Sequence, residues 1–307
     1  MGAPGEGLVP GFVRGPVTVE VPATSANLGP GFDCLGLALE LSDTLVGKVI
    51  DEGLEVHVDG EGDGEVLLDE SHLVVRAMRA AFELLDHRPP GLRLTCTNRI
   101  PHSRGLGSSS AAIVGGIVLA RALVAAGTDL LDDDLALSLA NRIEGHPDNV
   151  APALLGGFVI SGQDRETVWA QSSPVDASVS AVLFVPPGGV RTDVARGLLP
   201  ETVPHADAAA NSGRAALLVS ALGGHPEHLL RATEDFLHQR QREPAMPESL
   251  ALVAELRAQG IPAVVSGAGP TVLAFVTEDA DDVVRRGPAG WRTLRQRVGG
   301  RGASVLM

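Results

Sequence analysis

The stretch Pro101 to Gly116, PHSRGLGSSSAAIVGG, constrains this chain more than any other. A glycine-serine loop, Gly105-Leu106-Gly107-Ser108-Ser109-Ser110, opens directly into the small apolar run Ala111 to Ala120, which lacks proline and reads as a helix. Glycines allow tight turns and close approach to a ligand. A helix start presents N–H groups without intrahelical partners at the positive end of the dipole, the usual seat of a phosphate. No lysine follows the glycines as it would in a P-loop, and Lys48 is the only lysine in the chain. Triphosphate charge would then be met by backbone amides, a hydroxyl-bound Mg2+ and Arg104. Read alone, the stretch also suits a Gly/Ser linker before a buried helix, because glycine-rich loops are weak signals.

A chain of 307 residues exceeds one typical core, so two domains are expected. The formal net charge of −14 argues against nucleic-acid or anionic-membrane partners, although a local amide site can still bind phosphate. The two cysteines, Cys34 and Cys96, have no metal-ligand spacing and imply no disulfide framework, which fits a reducing, cytoplasmic setting. Residues 1–15 are rich in Gly and Pro and read as a disordered leader rather than a signal peptide. No apolar run approaches the ~18 residues of a membrane span.

Along the chain, Pro16–Val21 alternates as a strand. The segment Pro22 to Asp33, PATSANLGPGFD, then places Asn27 and Asp33 across a Gly-Pro-Gly turn, either facing one pocket or capping their own backbone. Residues 35–41, 44–50 and 53–58 read as strands of an antiparallel sheet, and 59–70 as an acidic loop. A helix follows from Ser71, its N-cap, to about Leu85, and then strand 92–98. Asp132-Asp133-Asp134 reads as the cap of a helix through about Ile143. Glu144-Gly145-His146-Pro147-Asp148-Asn149 gathers two carboxylates, an imidazole and an amide at that helix end. A carboxylate there could complete a Mg2+ shell begun by a loop serine, since Mg2+ takes hard oxygen ligands. Residues 163–174 read as a polar loop and domain boundary, giving domains at 16–165 and 170–307. In the second, 179–186 is a strand. Thr192 and Arg196 share a helix face. Helices are expected at 208–222, 229–239 and 248–259, and a strand at 261–265. A second tight glycine turn, Ser266-Gly267-Ala268-Gly269-Pro270-Thr271, precedes strand 272–276; it suits close approach to a ligand or to the first loop, or an ordinary hairpin. A helix and a last strand complete the chain.

Three motifs stand in order: PATSANLGPGFD at 22–33, GLGSSSAA at 105–112 and SGAGPT at 266–271. Their order and spacing resemble the GHMP kinases, the galacto-, homoserine, mevalonate and phosphomevalonate kinases. EGHPDNVAP at 144–152, the T-x-x-x-R of Thr192 and Arg196, and HQ-x-x-R at 238–242 resemble the homoserine kinase branch. The resemblance implies an α+β, two-domain GHMP kinase fold: an N-terminal ATP-binding domain like the second domain of ribosomal protein S5, and a ferredoxin-like C-terminal domain. It implies Mg-ATP and L-homoserine as ligands and a possible homodimer. ATP would contact Pro101, Arg104, Gly105, Leu106, Gly107, Ser108, Ser109, Ser110, Ala111, Gly267 and Gly269, with its base near 71–75. Ser109 and Glu144 match the Mg2+ positions. Asn27, Asp33, His146, Arg196 and Arg242 would form the acceptor pocket, Asp33 suiting an ammonium and the two arginines a carboxylate. Asp148, Asn149 and Arg196 are the catalytic candidates. Pro147 stands where the family often has Tyr, and His72 replaces an Asn common near the adenine. Another GHMP activity, or a catalytically silent binding protein on this fold, are the competing readings.

Overall fold

A computed structural model describes residues 11–165, 167–277 and 280–306. In chain order the elements are β1 (Val17–Asn27), β2 (Gly31–Ile50), β3 (Gly53–Gly60), α1 (Leu73–Leu84), β4 (Gly91–Asn98), α2 (Ser108–Leu123), α3 (Gly127–Leu130), α4 (Asp133–Glu144), α5 (Pro147–Leu155), β5 (Phe158–Asp164), β6 (Thr167–Ser173), β7 (Ser180–Val185), α6 (Thr192–Gly197), α7 (His205–Gly224), α8 (Leu229–Ala232), α9 (Pro247–Ala258), β8 (Ala263–Val265), β9 (Val272–Val276), α10 (Ala280–Val284), β10 (Arg292–Arg297) and β11 (Ser304–Leu306).

The first sheet is organised on β2, one long strand where the sequence suggests two. Its first half pairs with β5 and its second with β4, and β1 runs along most of its length. The sheet order is β11-β1-β2-β4-β3, with β5 and β6 branching from β2. It is mixed rather than antiparallel, because β3 pairs in parallel with β4. α2 lies between this sheet and α1. A Cβ on Gly115 would meet Leu45 Cδ1 at 2.5 Å, and one on Gly116 would meet Val74 O at 2.7 Å. The small residues of AAIVGG are therefore what let the helix, and the loop at its start, sit this close to the sheet.

The second sheet is antiparallel, in the order β10-β7-β9-β8. Alternation along β7 sends Ala181, Leu183 and Val185 into the large core shared with the first domain, and Val182 and Phe184 into a smaller core with Ala195, Leu252 and Leu256. The molecule thus has the two-domain α+β architecture expected. No helix among the described residues is long and apolar enough to cross a membrane.

Several local expectations are corrected. Of the proposed leader, residues 1–10 lie outside the described residues, whereas Phe12 packs edge-on against Phe82 and Val13 N–H donates to Leu123 O at 2.9 Å. Ser71 does not cap α1; its hydroxyl bonds Asp69 instead, and His72 precedes the helix without a side-chain cap. Residues 163–174 are largely strand, in the β5–β6 hairpin. The expected helix 229–239 stops at Ala232. Beyond it, Asp235 collects the N–H groups of Leu237, His238 and Gln239, a local bonding pattern that competes with helix. The C-terminal strand β11 returns to pair with β1, so the end of the chain belongs to the first sheet. Asp132, in contrast, caps α4 as expected, accepting from Leu135 N–H at 2.9 Å.

Candidate active site

The glycine-serine loop is built by contacts rather than by composition alone. Gly107 opens α2 at φ +69°, and a Cβ there would stand 2.0 Å from Thr24 Oγ1. No side chain caps the start of α2, so its first-turn amides are left for an anion. The second glycine turn lies directly on the first. Ser266 Oγ contacts Gly105 O at 2.6 Å and Ser25 Oγ at 2.8 Å, and Gly267 N–H donates to Ala26 O at 3.0 Å. Gly269 packs against Gly105 and Met246.

Arg104, expected to meet phosphate charge, is turned toward three backbone carbonyls. Its guanidinium donates to His102 O at 2.8 Å, to Pro186 O at 3.1 Å and to Pro187 O. Those bonds point it away from the loop and clamp the loop to the segment before α6. Pro101 lines the same outer groove as Arg104, and neither residue borders the two cavities described next.

The larger cavity, about 380 Å3, is walled by Leu45, Val66, His72, Leu73, Asn98 and Ala112. It also reaches Ala111 and lies where the resemblance puts the adenine. His72 Nδ1 is buried on this wall without a partner among the described residues, and burial lowers the imidazole pKa. The smaller cavity, about 160 Å3, is bordered by Glu144, His146, Asp148, Asn149, Arg196 and Arg242, with Asn27, Thr192 and Gly267 on its rim. Ser103, Ser108 and Ser109 line both, so the glycine-serine loop stands at their junction.

Glu144 ends α4 facing the loop. Its two oxygens accept from Ser109 Oγ and Ser110 Oγ, each at 2.8 Å. Among the described residues no group of three or more His, Cys, Asp or Glu could hold a metal alone. A carboxylate beside two hydroxyls is a hard-oxygen half-shell, which fits Mg2+ if phosphate and water supply the remainder.

At the far end of the smaller cavity, Arg196 makes a two-pronged ion pair with Asp33, Nη1–Oδ2 3.0 Å and Nη2–Oδ1 2.7 Å. The Asp33 bond raises the Arg196 pKa. Both partners are 36% exposed, so the pair is of modest net strength and open to exchange. Asn27, expected to bind substrate, makes two structural bonds: Oδ1 accepts from Asp33 N–H and Nδ2 donates to Gly267 O, both at 2.9 Å, which leaves one amide hydrogen and one lone pair of Oδ1 uncommitted by these bonds. It holds Asp33 at φ +55° and joins the first motif to the third. Arg242 is 1% exposed. It donates to Gly267 O (3.2 Å), Ala195 O (3.4 Å) and His238 Nδ1 (3.0 Å), all neutral. Among the described residues no carboxylate pairs with it. Phe32 lies against both guanidiniums, 5.7 Å from Arg196 and 5.6 Å from Arg242.

α5, which the sequence reading missed, carries Asp148 and Asn149 inward because Pro147 starts it directly after His146. Asp148 is 2% exposed and accepts from His146 Nδ1 at 2.7 Å; Thr24 Oγ1 donates to Asn149 Oδ1 at 2.8 Å. Burial opposes the charged imidazole, but the Asp148 bond and the charges of Asp148 and Glu144 outweigh it, so the His146 pKa is raised above its ordinary 6.5. A group with more proton affinity folded than unfolded stabilises below the ordinary pKa and loses that contribution as pH rises through the folded one. His146→Gln is therefore expected to lower the melting temperature about 2 °C more at about pH 5.5 than at about pH 9; equal losses in thermal melts at the two pH values would refute this. Burial, with the Asp148 and Asp33 charges, pushes the nearby Cys34 thiol up to about 11, leaving it protonated and inert.

Thr24, Phe32, His238 and Ser266 contact residues that line this site. All four stand inside quoted motifs, yet only their contacts with distant segments of the chain reveal them.

Residues 72–157 match the family described as GHMP kinases N terminal domain, and residues 215–292 match GHMP kinases C terminal. With the loop and the two-domain fold, these define the class as a GHMP kinase. A homoserine kinase of Streptomyces avermitilis is 58% identical over 299 residues, covering 97% of this chain and 98% of that protein. One from Streptomyces coelicolor is 56% identical, covering 97% and 96%. The crystal structure of homoserine kinase from Cytophaga hutchinsonii superposes with a TM-score of 0.82 at 25% identity, over 98% of this chain and all of that one. The chain belongs to the homoserine kinase family of the GHMP kinases.

Proposed function

We propose that this protein transfers the γ-phosphate of ATP to the side-chain hydroxyl of L-homoserine, giving O-phospho-L-homoserine and ADP, a step toward threonine. The observation that carries the acceptor is Arg242. A buried cation whose hydrogen bonds, among the described residues, all go to neutral acceptors is costly unless an anion joins it, and the neighbouring Asp33–Arg196 pair is ready to exchange. The ammonium of an amino acid would take Asp33, and its carboxylate would take Arg196 and Arg242. One exposed ion pair becomes two, with the guanidiniums well suited to a carboxylate fork. Mevalonate and shikimate carry no ammonium and would leave Asp33 unmatched.

The nucleotide base fits the larger cavity, where it would meet the unpartnered Nδ1 of His72, and the triphosphate would run along the α2 amides. Ser109 and Glu144 would hold Mg2+, which neutralises phosphate charge when bound. Phosphoryl transfer depends mainly on positioning and charge stabilisation. The acceptor hydroxyl would reach toward the phosphate loop near Asp148 and Asn149. Asp148, already tied to His146, would orient that hydroxyl or take its proton. Asp148→Asn is expected to reduce kcat at saturating substrates by about 100-fold; near-full turnover would remove the aspartate from that role. A cytoplasmic location and a homodimer complete the reading, the latter measurable by light scattering.

The test is ADP release with Mg-ATP and L-homoserine, with D-homoserine, mevalonate and shikimate alongside. Turnover confined to L-homoserine is the expected result. Turnover with another acceptor would keep the phosphate site and overturn the pocket, and ATP binding without turnover of any acceptor would favour a silent protein.

A further inference from the structure

One buried side chain touches two parts of the acceptor end at once. His238 is 0% exposed. Its Nε2 lies 2.8 Å from Gly29 O and its Nδ1 lies 3.0 Å from Arg242 Nη1. A guanidinium only donates and a carbonyl only accepts. Nδ1 must therefore be the bare nitrogen and Nε2 must carry the hydrogen, which makes the ring neutral in one tautomer. Burial keeps it so, against the pull of Asp235 and with the help of the Arg242 charge. Asp235 sets the ring's backbone by accepting from His238 N–H at 3.1 Å and Gln239 N–H at 2.7 Å. Phe32 closes over the ring, centroids 5.1 Å apart.

We propose that His238 is a positioning residue: its bare Nδ1 aims Arg242 at the acceptor carboxylate, and its bond to Gly29 ties that cation to the turn before Asp33. The spacing between the two charged ends of an amino-acid acceptor is then set by one imidazole. The role in acceptor binding rests on the amino-acid reading above; the contact itself does not.

Two substitutions separate the two bonds. Asparagine places its carbonyl oxygen near the position of Nδ1, and glutamine reaches the position of Nε2. His238→Gln can still bond Gly29 but offers Arg242 no acceptor, and His238→Asn does the reverse. His238→Gln is expected to raise the homoserine KM about 10-fold, with kcat and the ATP KM within about 3-fold of the parent. His238→Asn is expected to keep the homoserine KM within about 3-fold. The opposite ranking, or equal losses, would show that His238 merely staples the turn. The 15N shifts of the His238 ring in the unmodified protein give a readout that needs neither variant nor substrate. A bare, hydrogen-bonded Nδ1 supports the assignment, and a protonated Nδ1 overturns it. If the unmodified protein leaves homoserine untouched, the reading of the acceptor falls, while the ring shifts still decide whether His238 holds Arg242.

Discussion

Arg242→Met is expected to lower kcat/KM for homoserine by about 100-fold or more, mostly through KM, while leaving the melting temperature within about 4 °C. The two halves of this expectation have different causes. In the folded protein the guanidinium is 1% exposed and bonds only neutral acceptors. Burial and the nearby Arg196 charge lower its pKa, against the pull of Asp33 and more distant carboxylates. Its removal loses three hydrogen bonds but also relieves a buried, unpaired cation, and these terms oppose each other. Methionine roughly fills the stem volume. Binding has no such offset: an acceptor carboxylate would lose a desolvated cation and be left beside apolar atoms. Steady-state kinetics with homoserine varied at saturating ATP, together with thermal melts, measure both halves. An unchanged homoserine KM would take Arg242 out of carboxylate recognition.

Gly105→Ala is expected to be more damaging to the whole enzyme, with kcat/KM for ATP falling about 100-fold or more and the melting temperature falling by several degrees. Gly105 has φ +73°, where an L side chain costs about 1–2 kcal/mol. Its Cβ would also stand 2.2 Å from Ser266 O and 2.9 Å from Gly269 N, all backbone. Neither atom belongs to a flexible side chain, so the two glycine turns would have to part. That would break the Ser266–Gly105 bond and displace the loop ahead of the α2 amides. The same substitution at Gly188, where a Cβ meets nothing within 4 Å, is the control for the assay. If Gly105→Ala kept its ATP KM, the phosphate loop would not depend on the contact between the turns.

The parts of this molecule legible in the sequence are those specified within a few neighbouring residues. The loop entering α2, the cap at Asp132, the apolar run of β7 and the glycine turn at 266–271 all follow from turn chemistry, capping or composition. The residue types at the acceptor end were legible as well, because their spacing is shared with a family. Their pairings were not. Arg104 stands beside the glycine-serine loop in sequence, yet it turns to Pro186 and Pro187, more than 80 residues away. Asn27 has the chemistry of a ligand contact, and the fold also uses its amide to join Asp33 to Gly267.

By itself, then, the sequence determined the two-domain class, the glycine-serine loop that opens into a helix and the set of charged side chains that the proposed amino-acid acceptor would meet. Only the tertiary structure decided which of those charges meet: Asp33 with Arg196, His146 with Asp148, Glu144 with two loop serines, and Arg242, among the described residues, with no paired carboxylate. It also decided that β3 runs parallel to β4 and that β11 closes on β1. The reason is physical. Turns and caps are satisfied by atoms a few bonds along the chain, whereas a buried donor or charge takes whatever acceptor the packing of distant segments brings within about 3 Å.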